Sequence, residues 1–242
     1  MKKIDTVIPF CTYDLKYINR TIESIKNISS NVYVTYCTNL FNGDPENMDL
    51  IQSVKDQNKD CIFIKFDYDK YKNIRWHHNY GRWIATALSN ADYIFYIDSD
   101  EVFDSDRLKR WIDSKESFAD ISTFANYWYF RSEKYQAKTH EDSPILIKRS
   151  LINQDTSFHD LERGYYKHVM QNSSKEISIL GLDNLPMCHH YSWALDKEDM
   201  LCKVKNWGHK HDKDWVTLIE EEFSREFNGR DFIHNYEYNI LS

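Results

Sequence analysis

Up to about Asp100 the chain alternates short apolar runs with longer segments of helical periodicity: Thr6 to Phe10, Tyr17 to Ile28, Asn31 to Thr38, Pro45 to Asn58, Cys61 to Phe66, Arg75 to Asn90 and Tyr93 to Ile97. The short runs are rich in β-branched and aromatic residues and read as strands, so the alternation predicts βαβ units and a mostly parallel sheet flanked by helices. In such a sheet ligands bind beyond the carboxyl ends of the strands. Those ends are Cys11 to Asp14, Thr38-Asn39, Asp67-Tyr68-Asp69 and Asp98-Ser99-Asp100, a polar and acidic rim. The helix before the last strand carries Trp76, Tyr80, Trp83, Ile84, Ala87 and Leu88 on one stripe, which predicts that its aromatics enter the core. Its other face carries Arg75, His77, His78, Asn79 and Arg82, a candidate anion site near a helix N-terminus, with His77 and His78 read as an ordinary exposed pair.

Beyond Asp100 the pattern changes. Ile121 to Phe130 and Pro144 to Arg149 predict strands separated by a polar loop, Ser132 to Ser143; Glu176 to Leu180 predicts another strand. Lys197 to His211 and Val216 to Phe227 read as closing helices. This is α+β material added to one edge of the sheet. No linker rich in Gly, Pro or Ser divides the halves, since all 242 residues include 6 Gly and 4 Pro, and one domain is expected.

A chain that is 41% hydrophobic and 15% aromatic can build a substantial core. With 31 Lys and Arg against 38 Asp and Glu, its net charge is -7 and no basic stripe tracks phosphates along a polymer, so nucleic acid is not an expected partner. Five widely spaced cysteines, Cys11, Cys37, Cys61, Cys188 and Cys202, read as small buried hydrophobes in a reducing compartment. No run approaches the roughly 18 apolar residues that span a bilayer. A cytoplasmic protein is expected, one able to work peripherally at a membrane surface.

The chemistry concentrates where Tyr93 to Ile97 empties into Asp98-Ser99-Asp100-Glu101. With the chain turning after Ile97, Asp98 and Asp100 can face one hard cation that prefers oxygen ligands. The plainer reading is a solvated acidic loop that also caps a helix from Asp106 to Lys115. A second cluster, Met187-Cys188-His189-His190-Tyr191-Ser192-Trp193, can complete such a site, because Mn²⁺ accepts mixed oxygen and nitrogen ligands; His190 is preferred. Packing of the two histidines against the aromatics is the alternative, with Ser192 and Trp193 leading into the helix that begins near Asp196. A third group holds carboxylates able to act as a general base: Thr139-His140-Glu141-Asp142 in a loop, and Phe158-His159-Asp160-Leu161-Glu162. Trp128, Tyr129, Tyr165 and Tyr166 offer faces for stacking on a sugar, or pack as strand aromatics commonly do.

Val-Ile-Pro-Phe at 7–10, His78-Asn79-Tyr80-Gly81 opening an amphipathic helix, Tyr93 to Ile97 running into Asp98-Ser99-Asp100-Glu101-Val102, and His190-Tyr191-Ser192-Trp193 followed by Lys203 together resemble the GT-A glycosyltransferases. The family 2 enzymes are the nearest type, especially bacterial ones that build lipopolysaccharide core or similar glycans, and the resemblance spans roughly residues 4 to 210. It implies a single GT-A domain over 1–242, with 1–102 binding the nucleotide-sugar, 103–195 the acceptor and metal, and 196–242 closing helices. It also implies a metal-dependent hexosyltransferase-type enzyme. The donor would be a nucleotide-diphosphate sugar, UDP-linked first, and the acceptor a hydroxyl of a glycan or glycolipid, with Mn²⁺ or Mg²⁺ as cofactor and inversion as the expected outcome. Carried over, Asp100 binds the metal directly, Asp98 contacts the ribose or the metal through water, and His190 is the late metal or diphosphate ligand. Pro9, Cys11 and Thr12 surround base and ribose, Ser99 lies between the acidic pair, and Asp67 falls near the base edge. His78-Asn79 replaces the family's frequent Arg-Asn, so Asn79 with Arg75 or Arg82 takes the phosphate contact. Asp142, Glu162 and Asp160 are the candidate bases; a retaining enzyme of this fold needs none. Asp98-Ser99-Asp100-Glu101-Val102 also fits haloacid-dehalogenase-like phosphatases with Asp98 as nucleophile, although that signature normally ends the first strand. Sugar nucleotidyltransferases would usually carry a glycine-rich loop after the first strand, and residues 10–16 contain no Gly. A non-catalytic sugar-binding module is a further alternative.

Overall fold

The computed structural model describes residues 2–158, 171–206 and 210–241. Strands β1 (Ile4–Pro9), β2 (Asn31–Cys37), β3 (Ile62–Phe66) and β4 (Tyr93–Tyr96) lie in the order β3-β2-β1-β4 and pair in parallel. Helices α1 (Leu15–Ile25), α2 (Met48–Gln57) and α3 (Ile74–Leu88) make the crossovers. The sheet continues past β4 through β7 (Ser132–Lys148), β6 (Ile121–Phe130), β9 (Cys188–Trp193) and β5 (Glu101–Phe103), with β8 (Lys175–Ile179) on β6 and β10 (Tyr238–Ile240) on β7. Helix α4 (Ser105–Asp113), one turn at Gln154–Ser157 (α5), α6 (Lys197–Asn206) and α7 (Trp215–Phe223) complete the described elements. None of the described helices is long and apolar enough to cross a membrane.

Alternation along the parallel strands feeds two separate cores, as two covered sheet faces require. Ile4 and Ile8 of β1 join Phe95 of β4 against Ile18, Ile22 and Ile25 of α1, whereas Val7, Ile94 and Tyr96 pack with Ala85 of α3. A third core, built from Trp128, Phe130, Tyr191, Trp193 and Trp215, fills the later half.

Three expectations need correcting. The buried face of α3 is His77, Asn79, Gly81, Arg82, Ala85 and Thr86, while Leu88 is exposed and Trp76, Tyr80 and Trp83 stay half-buried, stacked on one another and on Phe158. The polar side turns inward where Arg82 meets Asp98 and His77 meets Asp69 N–H and Asn73 O, which offsets part of the cost of burying them. The segment 132–143 is the first part of the 17-residue β7, hydrogen-bonded to β6 on one side and β10 on the other. Residues 188–193 form a strand, held between β5 and β6, where a helix entrance was the alternative. All five cysteines are free; Cys37 and Cys188 are buried, whereas Cys202 is exposed on α6.

At Gly81, α3 passes close to β2 and β3. A Cβ there would stand 2.8 Å from Thr35 Oγ1 and 3.1 Å from Phe66 Cε1. Gly81→Val is therefore expected to lower stability by about 1–3 kcal/mol, the usual cost of overpacking. Urea denaturation checks it, and a variant as stable as the parent would show that the helix can lift off without cost.

Candidate active site at the carboxyl edge of the sheet

The carboxyl ends of β1, β2 and β4, together with β9, α6 and residues 231–236, enclose a cleft of about 430 Å³. Its centre is the turn after β4. Asp98 N–H donates to Glu101 Oε2 at 2.7 Å and Glu101 N–H returns to Asp98 O at 3.1 Å, closing the turn on a fully buried Glu101. Ser99 Oγ donates to Asp14 Oδ2 at 2.8 Å, and its carbonyl accepts from Thr21 Oγ1 of α1 at 2.8 Å. Each acidic residue then meets a cation. Asp98 Oδ1 accepts from the buried Arg82 guanidinium at 2.8 Å. Asp100 Oδ1 lies 3.4 Å from His190 Nε2, and Oδ2 lies 3.3 Å from Lys203 Nζ.

Register explains the histidine. β5 pairs with β9 so that Glu101 faces His190, which sets the imidazole against the preceding Asp100. Lys203 comes from α6, its ammonium donating to Ser192 O and Oγ at 2.9 and 3.0 Å and standing 3.6 Å from Asp14 Oδ1. These contacts fix the protonation states. Burial alone would lower the His190 pKa, but the Asp100 carboxylate beside it holds it up to about 9. Burial would raise that of Asp100, yet Lys203 and His190 bring it down to about 2. For Asp14, burial outweighs Lys203 and lifts the carboxyl to about 6. Lys203 itself is raised despite burial, by Asp14 and Asp100. Cys11, buried beside Asp14 and Glu46, is pushed up and stays a thiol.

One end of the cleft is lined by Pro9, Cys11, Cys37, Asn39, Phe41, Glu46, His77 and His78. Buried Glu46 accepts from Thr12 N–H and Oγ at 3.2 and 2.5 Å and from Asn47 N–H at 2.8 Å, tying the loop after β1 to the loop after β2. The Phe41 and His78 rings lie 4.5 Å apart. His77 is no exposed residue: its Nε2 accepts from Asp69 N–H at 3.1 Å, its Nδ1 lies 2.9 Å from Asn73 O, and burial keeps it neutral by lowering its pKa. The other end is lined by Trp128, Trp193, Trp215, Asp212, Lys213, Ile233 and His234.

Of the residues singled out from sequence, Pro9, Cys11, Asp98, Ser99, Asp100 and His190 line this cleft. Thr12 stands beside it on Glu46, Asn79 and Arg82 are buried behind it, and Asp67 and Arg75 are exposed residues outside its lining. Asp142 is turned away: it accepts from Ser178 Oγ at 2.6 Å on the β8 side and does not reach the cleft. Asp160 and Glu162, with His159, Tyr165 and Tyr166, lie outside the described residues. Sequence reasoning placed Asp14 and Asn39 on the polar rim without giving either a role, passed over Glu46, Asp212, Trp215 and His234, and gave Lys203 no role. Among the described residues no three His, Cys, Asp or Glu side chains are disposed as a ready metal-binding group.

No family model matches the sequence, and no curated protein matches it. Solved structures do resemble the fold. Residues 1–349 of S. aureus TarS align with a TM-score of 0.51 and 11% identity, over 99% of this chain and 100% of that one. The inositol-1-phosphate CTP transferase from T. maritima gives 0.51 and 12%, over 91% and 98%. A 4-diphosphocytidyl-2C-methyl-D-erythritol synthase gives 0.50 and 11%, over 77% and 92%. At these identities the likeness is one of fold alone: a mixed α/β structure with a mostly parallel sheet at its start.

Proposed function

We propose that the protein is a glycosyltransferase that moves a sugar from a nucleotide-diphosphate donor, UDP-linked first, to a hydroxyl of a glycan or glycolipid, with inversion and with Mn²⁺ or Mg²⁺ as cofactor. The observation that carries this is the pair Asp98 and Asp100 at the carboxyl end of a central parallel strand, lining one cleft with His190 and Lys203. Nucleotide-using enzymes share the fold, two of the similar structures being named for CTP or cytidyl chemistry. Absence of glycine from the loop after β1 favours sugar transfer over nucleotidyl transfer. Asp98 follows the fourth strand of the chain and is held by Arg82, which disfavours a phosphatase nucleophile.

The residues present suit a hard divalent cation by donor type and by charge. Asp14, Asp98, Asp100 and Glu101 outnumber Arg82, Lys203 and His190, even before Glu46 is added. A diphosphate entering so acidic a crevice needs further positive charge. Asp98 and Asp100 are the residues to hold it, while His190, protonated beside Asp100, is left to face the diphosphate; a magnesium-like ion is commonly held by one or two carboxylates plus substrate phosphates, so a closed protein cage is not required. When bound, it supplies Lewis-acid neutralisation of the phosphate oxygens. His190, charged through Asp100, and Lys203, tethered by Ser192 and Asp14, stabilise the negative charge that grows on the departing diphosphate. Arg82 and Ser99 keep the acidic turn in place. In this reading residues 1–102 take the nucleotide and supply Asp98 and Asp100, 103–195 supply His190 and acceptor-side residues, and 196–242 close the site and supply Lys203, with a cytoplasmic location at or near a membrane surface.

Thermal unfolding with UDP, GDP and dTDP, with and without Mn²⁺, tests the reading, followed by slow hydrolysis of the linked sugars. At 100-fold excess over Kd the matching nucleotide should stabilise the protein by about 2.7 kcal/mol. Asp100→Ala should lose the metal-dependent part of that gain. A manganese response unchanged in Asp100→Ala, or phosphate release from simple phosphomonoesters, would count against the assignment.

A further inference from the structure

The end of the cleft away from the nucleotide holds a second imidazole, and the chain goes to some length to fix it. Asp231, almost fully buried, gathers a tight turn around its carboxylate: Oδ1 accepts the backbone N–H groups of Ile233, His234 and Asn235 at 2.7, 2.6 and 3.2 Å. Oδ2 accepts Tyr236 N–H at 3.1 Å and the Tyr238 hydroxyl at 2.9 Å. Asn235 adopts a φ of 61°, which turns the chain back into β10. The turn presents His234 to the cleft. Its ring stacks on Tyr236 with centroids 5.1 Å apart and meets the Trp128 ring edge-on at 5.2 Å. His190 meets the same indole edge-on at 4.9 Å, so Trp128 separates the imidazole on Asp100 from the one at the open end.

Behind His234 stands a carboxylate. Glu141 Oε1 lies 3.7 Å from His234 Nε2 and accepts the Tyr236 hydroxyl at 2.9 Å. Glu141 reaches this place because β7 is a strand: successive side chains alternate, so Asp142 goes to Ser178 while Glu141 goes to the cleft side. A nucleophile-activating base held by an orienting carboxylate is the arrangement general-base catalysis uses.

We infer that His234 is the general base of the transfer, with Glu141 as its positioning residue and the open end of the cleft, flanked by Trp128 and Trp215, as the seat of the acceptor sugar. This rests on the glycosyltransferase reading and names the base it requires. The acceptor oxygen forms a bond to the anomeric carbon while the C1–O bond to the β-phosphate breaks, its electron pair leaving with the nucleotide diphosphate. The acceptor's O–H proton passes to His234 Nδ1, since Nε2 is turned to Glu141.

Slow hydrolysis of the donor, in which water replaces the acceptor, provides the assay, run on UDP-, GDP- and dTDP-sugars with Mn²⁺ beside calorimetric binding of the nucleotide diphosphate. His234→Ala should bind the nucleotide diphosphate as the parent does and hydrolyse its sugar about 10²-fold or more slowly, with added imidazole restoring part of the rate. Glu141→Gln should lower kcat about tenfold at unchanged KM, a split a purely structural loss would not give. Asp142→Asn should behave as the parent. The inference is overturned if His234→Ala hydrolyses within about threefold of the parent, if the loss appears instead in Asp212→Asn, or if His234→Ala loses nucleotide binding along with the rate. A parent protein that neither binds nor hydrolyses any donor would sink the glycosyltransferase reading itself, and this inference with it.

Discussion

Lys203→Met should lower the stability of the protein by about 3–5 kcal/mol, the range found when one partner of a buried ion pair is removed. Lys203 is 7% exposed, and its ammonium stands within 3.6 Å of both Asp14 and Asp100, with Ser192 taking its remaining hydrogen bonds. Methionine fills the methylene track and takes away the charge. Asp14, already lifted to about 6, can then escape by binding a proton, but Asp100 is left on His190 alone. With total stabilities of about 5–15 kcal/mol, that is a large share. The double variant Lys203→Met/Asp100→Asn should recover part of the loss, since it removes the stranded charge together with its partner. Urea denaturation of parent, both single variants and the double variant measures the coupling. Strict additivity, or a Lys203→Met protein as stable as the parent, would show that the ammonium is solvated and idle.

Alkaline pH should reveal the other half of the same cluster. His190 titrates near 6.5 in an unfolded chain and at about 9 in the folded one, so the native state binds its proton more tightly. The stability gained is fully present below pH 6.5 and is lost as pH rises through 9, amounting to about 3 kcal/mol. The effect on Asp100 has the opposite window: its contribution holds above 3.8 and fades as pH falls through about 2. Asp14 favours the folded state below 3.8 and loses that advantage as pH rises through about 6. Between about pH 6.5 and about pH 9.5 the histidine therefore dominates, and metal-free protein should lose most of those 3 kcal/mol there. His190→Gln should be less stable at neutral pH and nearly flat across the window. A parent protein equally stable at both ends would mean that the His190 and Asp100 pair is open to water.

The four parallel strands were legible because each is a short, nearly unbroken apolar run between helical periods; the runs at 31–38 and 93–97 differ from β2 and β4 by one residue at their ends. The acidic turn was legible for the same reason, since carboxylates at the end of a buried strand must face the sheet's edge. The inward face of α3 was not. Periodicity assigns burial to the apolar stripe, and nothing local says that Arg82 will find Asp98 sixteen residues later or that His77 will tie down Asp69. Residues 132–143 defeated the reading for a related cause. Their side chains are mostly polar and part-exposed, so no buried face announces a strand, and only pairing with β6 and β10 makes one. His234 was hidden by distance: Glu141 lies 93 positions away, and the turn that presents the imidazole is organised by one buried aspartate.

The length of β7 has a mechanical outcome. Its last residues, Ile145 to Lys148, are stitched to β4 beside the acidic turn, and its early residues, Tyr135 to Ala137, to β10 just past the His234 turn. The two ends of the crevice thus hang from one continuous spar, which resists the clamshell opening seen in proteins whose halves meet at a flexible waist.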